Sequence, residues 1–356
     1  MDNINSGSVL ERAFYKFNKT QVIQYIKGKR DGWVQDKKDK NKVDLRDAFL
    51  ALESILSEQD IIDLTEMTVM KRKKGLSAYT YRFKDLGKLK DKTLEQLQKE
   101  YVKSYVINPM YEVVLSDINI EGHKITLSLK VKEYETFWKT NVQDLGSLTA
   151  LYLNTVIFET DINKISIEAG DDNIEEVIEI FLANRLSIPL NPYTIKIFDG
   201  NNFGEDSATK KTMLIFDYIY NRLSSREISS NFNDVKFRMN DASRSGGVKS
   251  VTVNGTDIIT SDEACKYITL GNDIISFKTT SIYQGSKVNV QFSLKGKEFD
   301  KLKVVILNNK SEIFKQELMR IMQEEYILMC EEGIKDISAT RRRLEPIYEF
   351  FITSRS

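Results

Sequence analysis

The chain has 356 residues, with 52 Lys and Arg against 52 Asp and Glu, and 41% of its residues are hydrophobic. This length exceeds the roughly 250–300 residues at which one hydrophobic core stops growing, so two domains are expected. The apolar content excludes a disordered chain, and the uncharged apolar runs are too short to span a bilayer. The balanced charge argues against a surface that binds polyanions everywhere, although it allows local basic patches.

The chain contains one histidine and two cysteines, which restricts its chemistry. His123 lies in a predicted turn, so a histidine-dependent triad or a multi-histidine metal site is not expected. Cys265 and Cys330 have no second ligand nearby in the sequence, which argues against structural zinc and a disulfide framework. The first residues show neither a basic nor an apolar segment, so the cytoplasm is the predicted location and no membrane partner is expected.

Helices are predicted in the first 60 residues. Ser8 and Glu11 form a capping box that predicts a helix start, and Asp44 is expected to cap a second helix. The second helix has an apolar face formed by residues at helical spacing, namely Leu45, Phe49, Leu52 and Leu56.

A hairpin with a basic tip is predicted over residues 69–83, where two short apolar or aromatic runs flank a turn that contains Gly75. The cations of this tip are Lys71, Arg72, Lys73 and Lys74. Such cations suit contact with phosphates, and the neighbouring Tyr79 and Tyr81 suit stacking on bases. The alternative interpretation is ordinary solvated charge.

Strict alternation of apolar and polar residues predicts antiparallel hairpins over 111–132 and over 274–283 with 287–294. The Asn254-Gly255 step between apolar runs predicts another hairpin over 251–258. Ser311 is expected to cap a long helix packed on this C-terminal sheet. Between these regions, strands are predicted at 156–158, 165–167, 193–198 and 303–307, and helices at 174–184 and 207–223.

These elements predict an α+β class, with antiparallel hairpin-built sheets, interspersed helices and two domains. The first domain is placed at residues 1–140 and carries the basic hairpin. The second is placed at residues 141–356 and carries an antiparallel sheet and a long C-terminal helix.

A possible phosphate and metal site begins at Gly146 and Ser147, expected at the start of a short helix, and continues at Glu159 and Asp161 on a strand. Alternate strand residues point the same way, so both acids can hold Mg²⁺ while the Gly-Ser amides contact a phosphate chain. This arrangement resembles the polymerase-β-like nucleotidyltransferases, although a glutamate stands where that family usually has aspartate. Asp199 is the candidate third acid. The alternative is a helix cap followed by a solvated strand end.

A nuclease-like site of two acids and a lysine is a further alternative, with Asp234 and Lys236 on a strand and Asp217 as the partner acid. Asp217 falls in a predicted amphipathic helix, which weakens that geometry. A last basic cluster stands near the C-terminus and consists of Arg341, Arg342 and Arg343.

The leading hypothesis is therefore a non-catalytic component that associates with nucleic acid or assembles with protein partners or copies of itself. A bacterial mobile-element or phage-defence system is the expected setting, because the abundant Lys, Asn and Ile are typical of AT-rich genes. No cofactor is expected under this hypothesis. The alternative is a metal-dependent nucleotidyltransferase-like or nuclease-like enzyme, which would use Mg²⁺.

Overall fold

The computed structural model describes residues 6–135, 146–195, 208–240, 247–255, 258–307 and 310–353. The α-helices in these ranges are α1 (Ser6–Lys16), α2 (Lys19–Lys29), α3 (Arg46–Leu50), α4 (Glu58–Val69), α5 (Leu94–Tyr101), α6 (Asp172–Arg185), α7 (Lys210–Asp217), α8 (Asp262–Thr269), α9 (Glu312–Glu332) and α10 (Ile337–Thr353). The strands are β1 (Leu76–Arg82), β2 (Ser104–Asn108), β3 (Tyr111–Glu121), β4 (Lys124–Tyr134), β5 (Leu148–Glu159), β6 (Lys164–Glu168), β7 (Asn191–Pro192), β8 (Ser229–Arg238), β9 (Ser250–Asn254), β10 (Asp273–Tyr283), β11 (Ser286–Lys295) and β12 (Lys301–Ile306).

The strands form an antiparallel sheet in the order β2-β3-β4-β5-β6-β1-β12-β11-β10-β8-β9, and β7 also pairs with β1. The predicted α+β class is confirmed. The predicted hairpins over 111–132 and 274–294 are confirmed as β3 with β4 and β10 with β11. The second of these turns at Gln284 and Gly285, which both adopt positive φ.

The chain forms two compact units with interleaved boundaries. The first unit comprises Met1–Arg72, Asp91–Asn119 and Leu127–Thr155, and the second comprises Lys73–Lys90, Ile120–Thr126 and Val156–Ser356. Whether they are separate domains stays a prediction. The helical core of the first unit is built around buried side chains such as Leu10, Phe14, Leu45 and Phe49.

The core of the second unit joins the inner faces of its strands to α7, α8, α9 and α10. Ser311 caps α9 through a hydrogen bond from the backbone N–H of Phe314, as the sequence predicts. Along α9 the buried residues include Leu318, Met322 and Met329, which pack in this core. None of the helices in the described ranges combines the length and apolarity needed to cross a membrane.

The basic segment is a connection between a helix and a strand, so the predicted basic hairpin is wrong. The buried face of α4 continues to Val69, so the helix includes the residue at which the first strand of the hairpin was predicted to begin. Met70 then forms a parallel bridge to Leu151 and does not pair with β1. Gly75 allows a close approach of two backbones, because a Cβ there would lie 2.2 Å from the carbonyl oxygen of Ile306.

The predicted hairpin at Asn254-Gly255 is also wrong. β9 ends at Asn254 and pairs with β8, whereas Ile258–Thr260 form a turn of 3₁₀ helix. The pairing with β8 determines the partner strand of β9. Ser8 lies within α1 and does not cap it as predicted.

A π-helix interrupts the predicted helix over 207–223. α7 ends at Asp217 and residues Tyr218–Leu223 continue as the π-helix. The hydroxyl of Tyr218, the first residue of the π-helix, donates a hydrogen bond to the Met322 carbonyl of α9 at 2.8 Å. Because short π-helical segments concentrate at functional sites, this segment marks a region of interest.

The Asp217 carboxylate is fully buried at the junction of this π-helix with α10. It accepts hydrogen bonds from the backbone N–H groups of Lys335 at 2.9 Å and Asp336 at 3.0 Å. The buried Arg222 guanidinium lies 3.4 Å from the same carboxylate and donates to the Gly333 carbonyl at 3.0 Å. We call this set the Asp217 clamp. It ties the π-helix to the end of α9 and the beginning of α10.

Replacing Asp217 with Ala is expected to lower the free energy of unfolding by about 3–5 kcal/mol. The change leaves two part-buried backbone amides without their acceptor, and it removes the fully buried carboxylate beside Arg222, which keeps only Glu325 and Glu332 as ionic partners. Urea denaturation measures this loss. The control is Glu331→Gln, which breaks an exposed ion pair with Arg82 and is expected to cost less than about 1 kcal/mol. Equal losses in the two variants would contradict the clamp's role.

A buried carboxyl lies on α6. Burial and the neighbouring Glu179 carboxylate raise the pKa of Glu175 to about 8, although Lys301 and Lys303 oppose the shift. One carboxylate oxygen of each glutamate has no hydrogen-bond partner among the described residues. The folded protein therefore keeps a proton on Glu175 at pH values where the unfolded chain has lost it.

This proton makes the stability of the fold depend on pH. Between the ordinary value of 4.5 and about 8 the folded state binds more protons, so stability falls as pH rises. Glu175→Gln removes the titrating group and is expected to flatten the decrease in melting temperature across this range. Glu176→Gln, an exposed change on the same helix, should retain the wild-type slope. An unchanged slope in Glu175→Gln would refute the assignment.

Candidate functional site

A cavity of about 690 Å³ opens in the second unit beside the π-helix and α10. We call it the arginine groove. Its polar and aromatic lining includes Tyr220 and Asn221 from the π-helix, Asn231 from β8, and Arg342, Arg343 and Pro346 from α10. Two elements that line it, the π-helix and α10, are the ones joined by the Asp217 clamp.

Two arginines of the groove have no acidic partner among the described residues. Arg342 and Arg343 are exposed on α10, and neither forms an ion pair with any carboxylate that the structure describes. The Arg343 guanidinium lies 4.8 Å from the centroid of the Tyr220 ring, which is a cation–π contact. Behind this ring lie Phe216 and Phe232, with centroids at 5.7 and 5.8 Å. The groove therefore combines free positive charge with a supported aromatic surface.

Amide and carbonyl groups complete the lining. The Asn221 amide nitrogen donates to Asp217 at 2.9 Å and to Thr340 at 2.9 Å, so its side-chain oxygen is the group left to accept a bond from a ligand. Asn231 is exposed and its side chain has no partner among the residues described. Pro346 has no N–H to donate, so the Arg342 carbonyl four residues earlier lacks its helical hydrogen bond.

The three arginines predicted from the sequence do not share one environment. Arg342 and Arg343 line the groove, whereas Arg341 does not line it and has contacts of its own. Tyr220, Asn221 and Asn231 were missed by the sequence analysis. A tyrosine and two asparagines scattered over a helix and a strand give no local signal, and the π-helix that positions the first two has no sequence signature of its own.

The cations Lys71, Arg72, Lys73 and Lys74 are all exposed on the connection from α4 to β1. The side chain of Lys73 differs from the other three because it forms a hydrogen bond, in which Nζ donates to the Glu168 carbonyl oxygen at 3.5 Å. Partial desolvation lowers the pKa of Lys73, and the nearby acids Glu168 and Glu312 oppose that shift. The other cations of this segment are available for contact with an anion.

The Gly-Ser pair and the two acids lie at opposite ends of β5. Gly146 and Ser147 form a turn before the strand and not the predicted helix start, and Glu159 is the last residue of this 12-residue strand. A strand rises about 3.3 Å per residue, so its ends are too far apart to contact one phosphate chain. Asp161 lies in the turn after β5 and is not on the strand. Asp199 lies outside the described residues.

The two acids do line one cavity of the second unit, of about 490 Å³, together with Glu121, Glu168 and Glu317. Glu159 is already engaged, because its carboxylate lies 2.6 Å from Nζ of the fully buried Lys164. Within the described ranges, no group of three or more acids, cysteines or histidines is placed to hold a metal ion. The arrangement there is that of an ion pair with other acids beside it, of which Glu121 and Asp161 are exposed and Glu168 is buried.

The acids of the nuclease-like alternative are also engaged. Asp217 is the centre of the clamp described above, with no exposed surface. Asp234 lies 2.6 Å from Lys278 of the neighbouring strand β10. Both carboxylates therefore have structural partners.

Comparison of the sequence with models of known protein families finds no match. Comparison with curated proteins finds no significant similarity either.

The ion pair of Glu159 with Lys164 predicts a difference between the two acids of this cavity. Glu159→Gln leaves a buried ammonium without its counter-ion and is expected to cost about 3 kcal/mol of stability. Asp161→Asn, at an exposed turn position, should stay within about 0.5 kcal/mol of wild type. Chemical denaturation of both variants tests this. A larger loss in Asp161→Asn would show that the roles have been misassigned.

Proposed function

We propose that this protein binds nucleic acid through the arginine groove and acts as a non-catalytic component of a larger assembly. The observation that carries the proposal is the placement of Arg342 and Arg343 in a cavity that Tyr220 also lines. Neither arginine has an acidic partner among the described residues. Guanidinium groups bind phosphate in a bidentate manner, and aromatic rings stack on bases, so one groove offers contacts to both parts of a nucleotide.

Other arginines of the second unit, unlike Arg342 and Arg343, are already paired with carboxylates, and this difference supports the proposal. Arg226 and Arg320 in the same unit both pair with Glu324, and Arg82 pairs with Glu331. An arginine that must leave an ion pair to bind phosphate loses part of the energy gained. Arg342 and Arg343 have no such partner to leave among the described residues.

The Asp217 clamp supports the proposal through rigidity. It fixes the beginning of α10 relative to the π-helix, so the groove is formed before the ligand arrives. A preformed site spends less binding energy on ordering its own side chains and backbone.

The exposed cations Lys71, Arg72 and Lys74 are proposed as an additional phosphate contact. The bacterial defence setting and the cytoplasmic location stay predictions.

Binding is expected to weaken steeply with salt, because each neutralised phosphate releases counter-ions. The double variant Arg342→Gln with Arg343→Gln should lower the slope of log K against log salt by roughly 0.7 on single strands if one of the two arginines contacts a phosphate, and by roughly 1.4 if both do. Fluorescence anisotropy with labelled oligonucleotides over a salt series measures the slope.

The matched control is Arg226→Gln with Arg320→Gln, which removes the same charge from arginines already paired with Glu324. This control should leave the slope within about 0.3 of wild type. If both double variants lower the slope equally, the groove is not the contact. If wild type binds no oligonucleotide at low salt, the proposed function is wrong.

A further inference from the structure

We infer that the arginine groove takes one unpaired base together with its phosphate, so that the ligand is single-stranded nucleic acid. This inference rests on the proposed function and deepens it by naming the state of the strand. It follows from three features of the groove, which are its concave shape, its stacked platform and its polar edge.

The shape of the groove excludes a paired base. Its volume of about 690 Å³ lies in the range of pockets that enclose a small ligand, roughly 300–1,000 Å³. A duplex presents phosphates on a convex surface and keeps its bases stacked inside, so it offers such a cavity nothing that fills it. A base that has left the stack is flat and compact enough to enter.

The platform is the Arg343 guanidinium lying over the Tyr220 ring. A guanidinium is planar and stacks on bases as well as on aromatic rings. The ring beneath it is held by Phe216 and Phe232, so the plane has a fixed orientation. A base can therefore stack on this platform at little entropic cost.

The polar edge consists of groups that can bond to the edge of a base. They are the side-chain oxygen of Asn221 and the side-chain amide of Asn231. The Arg342 side chain, adjacent to the platform residue in sequence, remains for the phosphate. Contacts for base and phosphate thus come from two neighbouring residues of α10 and their facing elements.

A free mononucleotide offers the same base and phosphate chemistry as a strand, so the experiment must separate the two sources. We would measure binding of a labelled 12-nucleotide single strand, the duplex of the same sequence and a nucleoside monophosphate at one salt concentration. The single strand is expected to bind at least about tenfold more tightly than the duplex. The monophosphate is expected to bind far more weakly than the strand, because it makes only one phosphate contact.

The decisive variant is Arg343→Lys, which keeps the charge but loses the planar group. Affinity for the single strand should fall about tenfold while the salt slope stays as in wild type. Its matched control is Arg320→Lys, outside the groove, which should bind as wild type. Tyr220→Leu should also weaken binding, and its fold is checked by thermal denaturation because the ring packs on the core.

The possible results distinguish failure of this inference from failure of the proposed function. Equal binding of duplex and single strand, or wild-type affinity in Arg343→Lys, overturns the inference but leaves nucleic-acid binding in place. Binding of the monophosphate as tightly as the strand overturns the strand assignment and identifies a nucleotide site. Binding of none of the ligands overturns the proposed function and this inference together.

Discussion

The buried carboxylate of Asp217 is the interaction on which the helical layer of the second unit depends. An ionised group without exposed surface is tolerated only when its partners replace the lost water, and here two backbone amides, an asparagine amide and an arginine do so. Because both amides belong to the segment that precedes α10, the carboxylate also sets where that helix begins. Arg342 and Arg343 follow one to two turns later and face the groove.

The π-helix is the second consequence of this arrangement. It begins directly after Asp217 and ends at Leu223, so Asp217 of the clamp precedes it and Arg222 lies in its last turn. Between them stand Tyr220 and Asn221, which line the groove. The cost of irregular hydrogen bonding in a π-helix is offset by the buried network, and the widened turn carries the residues with the clearest functional chemistry.

The net charge of the chain does not show which of its charged side chains are free to bind a ligand. Equal numbers of acids and bases leave open which charges are already paired. Glu159 neutralises the buried Lys164, and Arg226 and Arg320 share Glu324. Most of the acids that a metal-dependent mechanism would recruit are thus structural. Arg342 and Arg343 of α10 lack such partners among the described residues, and this difference, which net charge does not express, singles out their groove.

The sequence by itself determined the elements whose signals are local. The alternating residues of 274–294 set a hairpin, and the serine at 311 set the start of α9, because period and cap act over a few neighbours. It also singled out the arginine cluster. Tertiary structure decided which strand β9 pairs with and which arginines line the groove with Tyr220. The β8–β9 pairing matches Asp234 with Asn254 and Arg238 with Ser250, on strands that are separated in the chain. The groove depends on longer contacts, such as that of Asp217 with Asp336, 119 positions apart. No local pattern records such contacts.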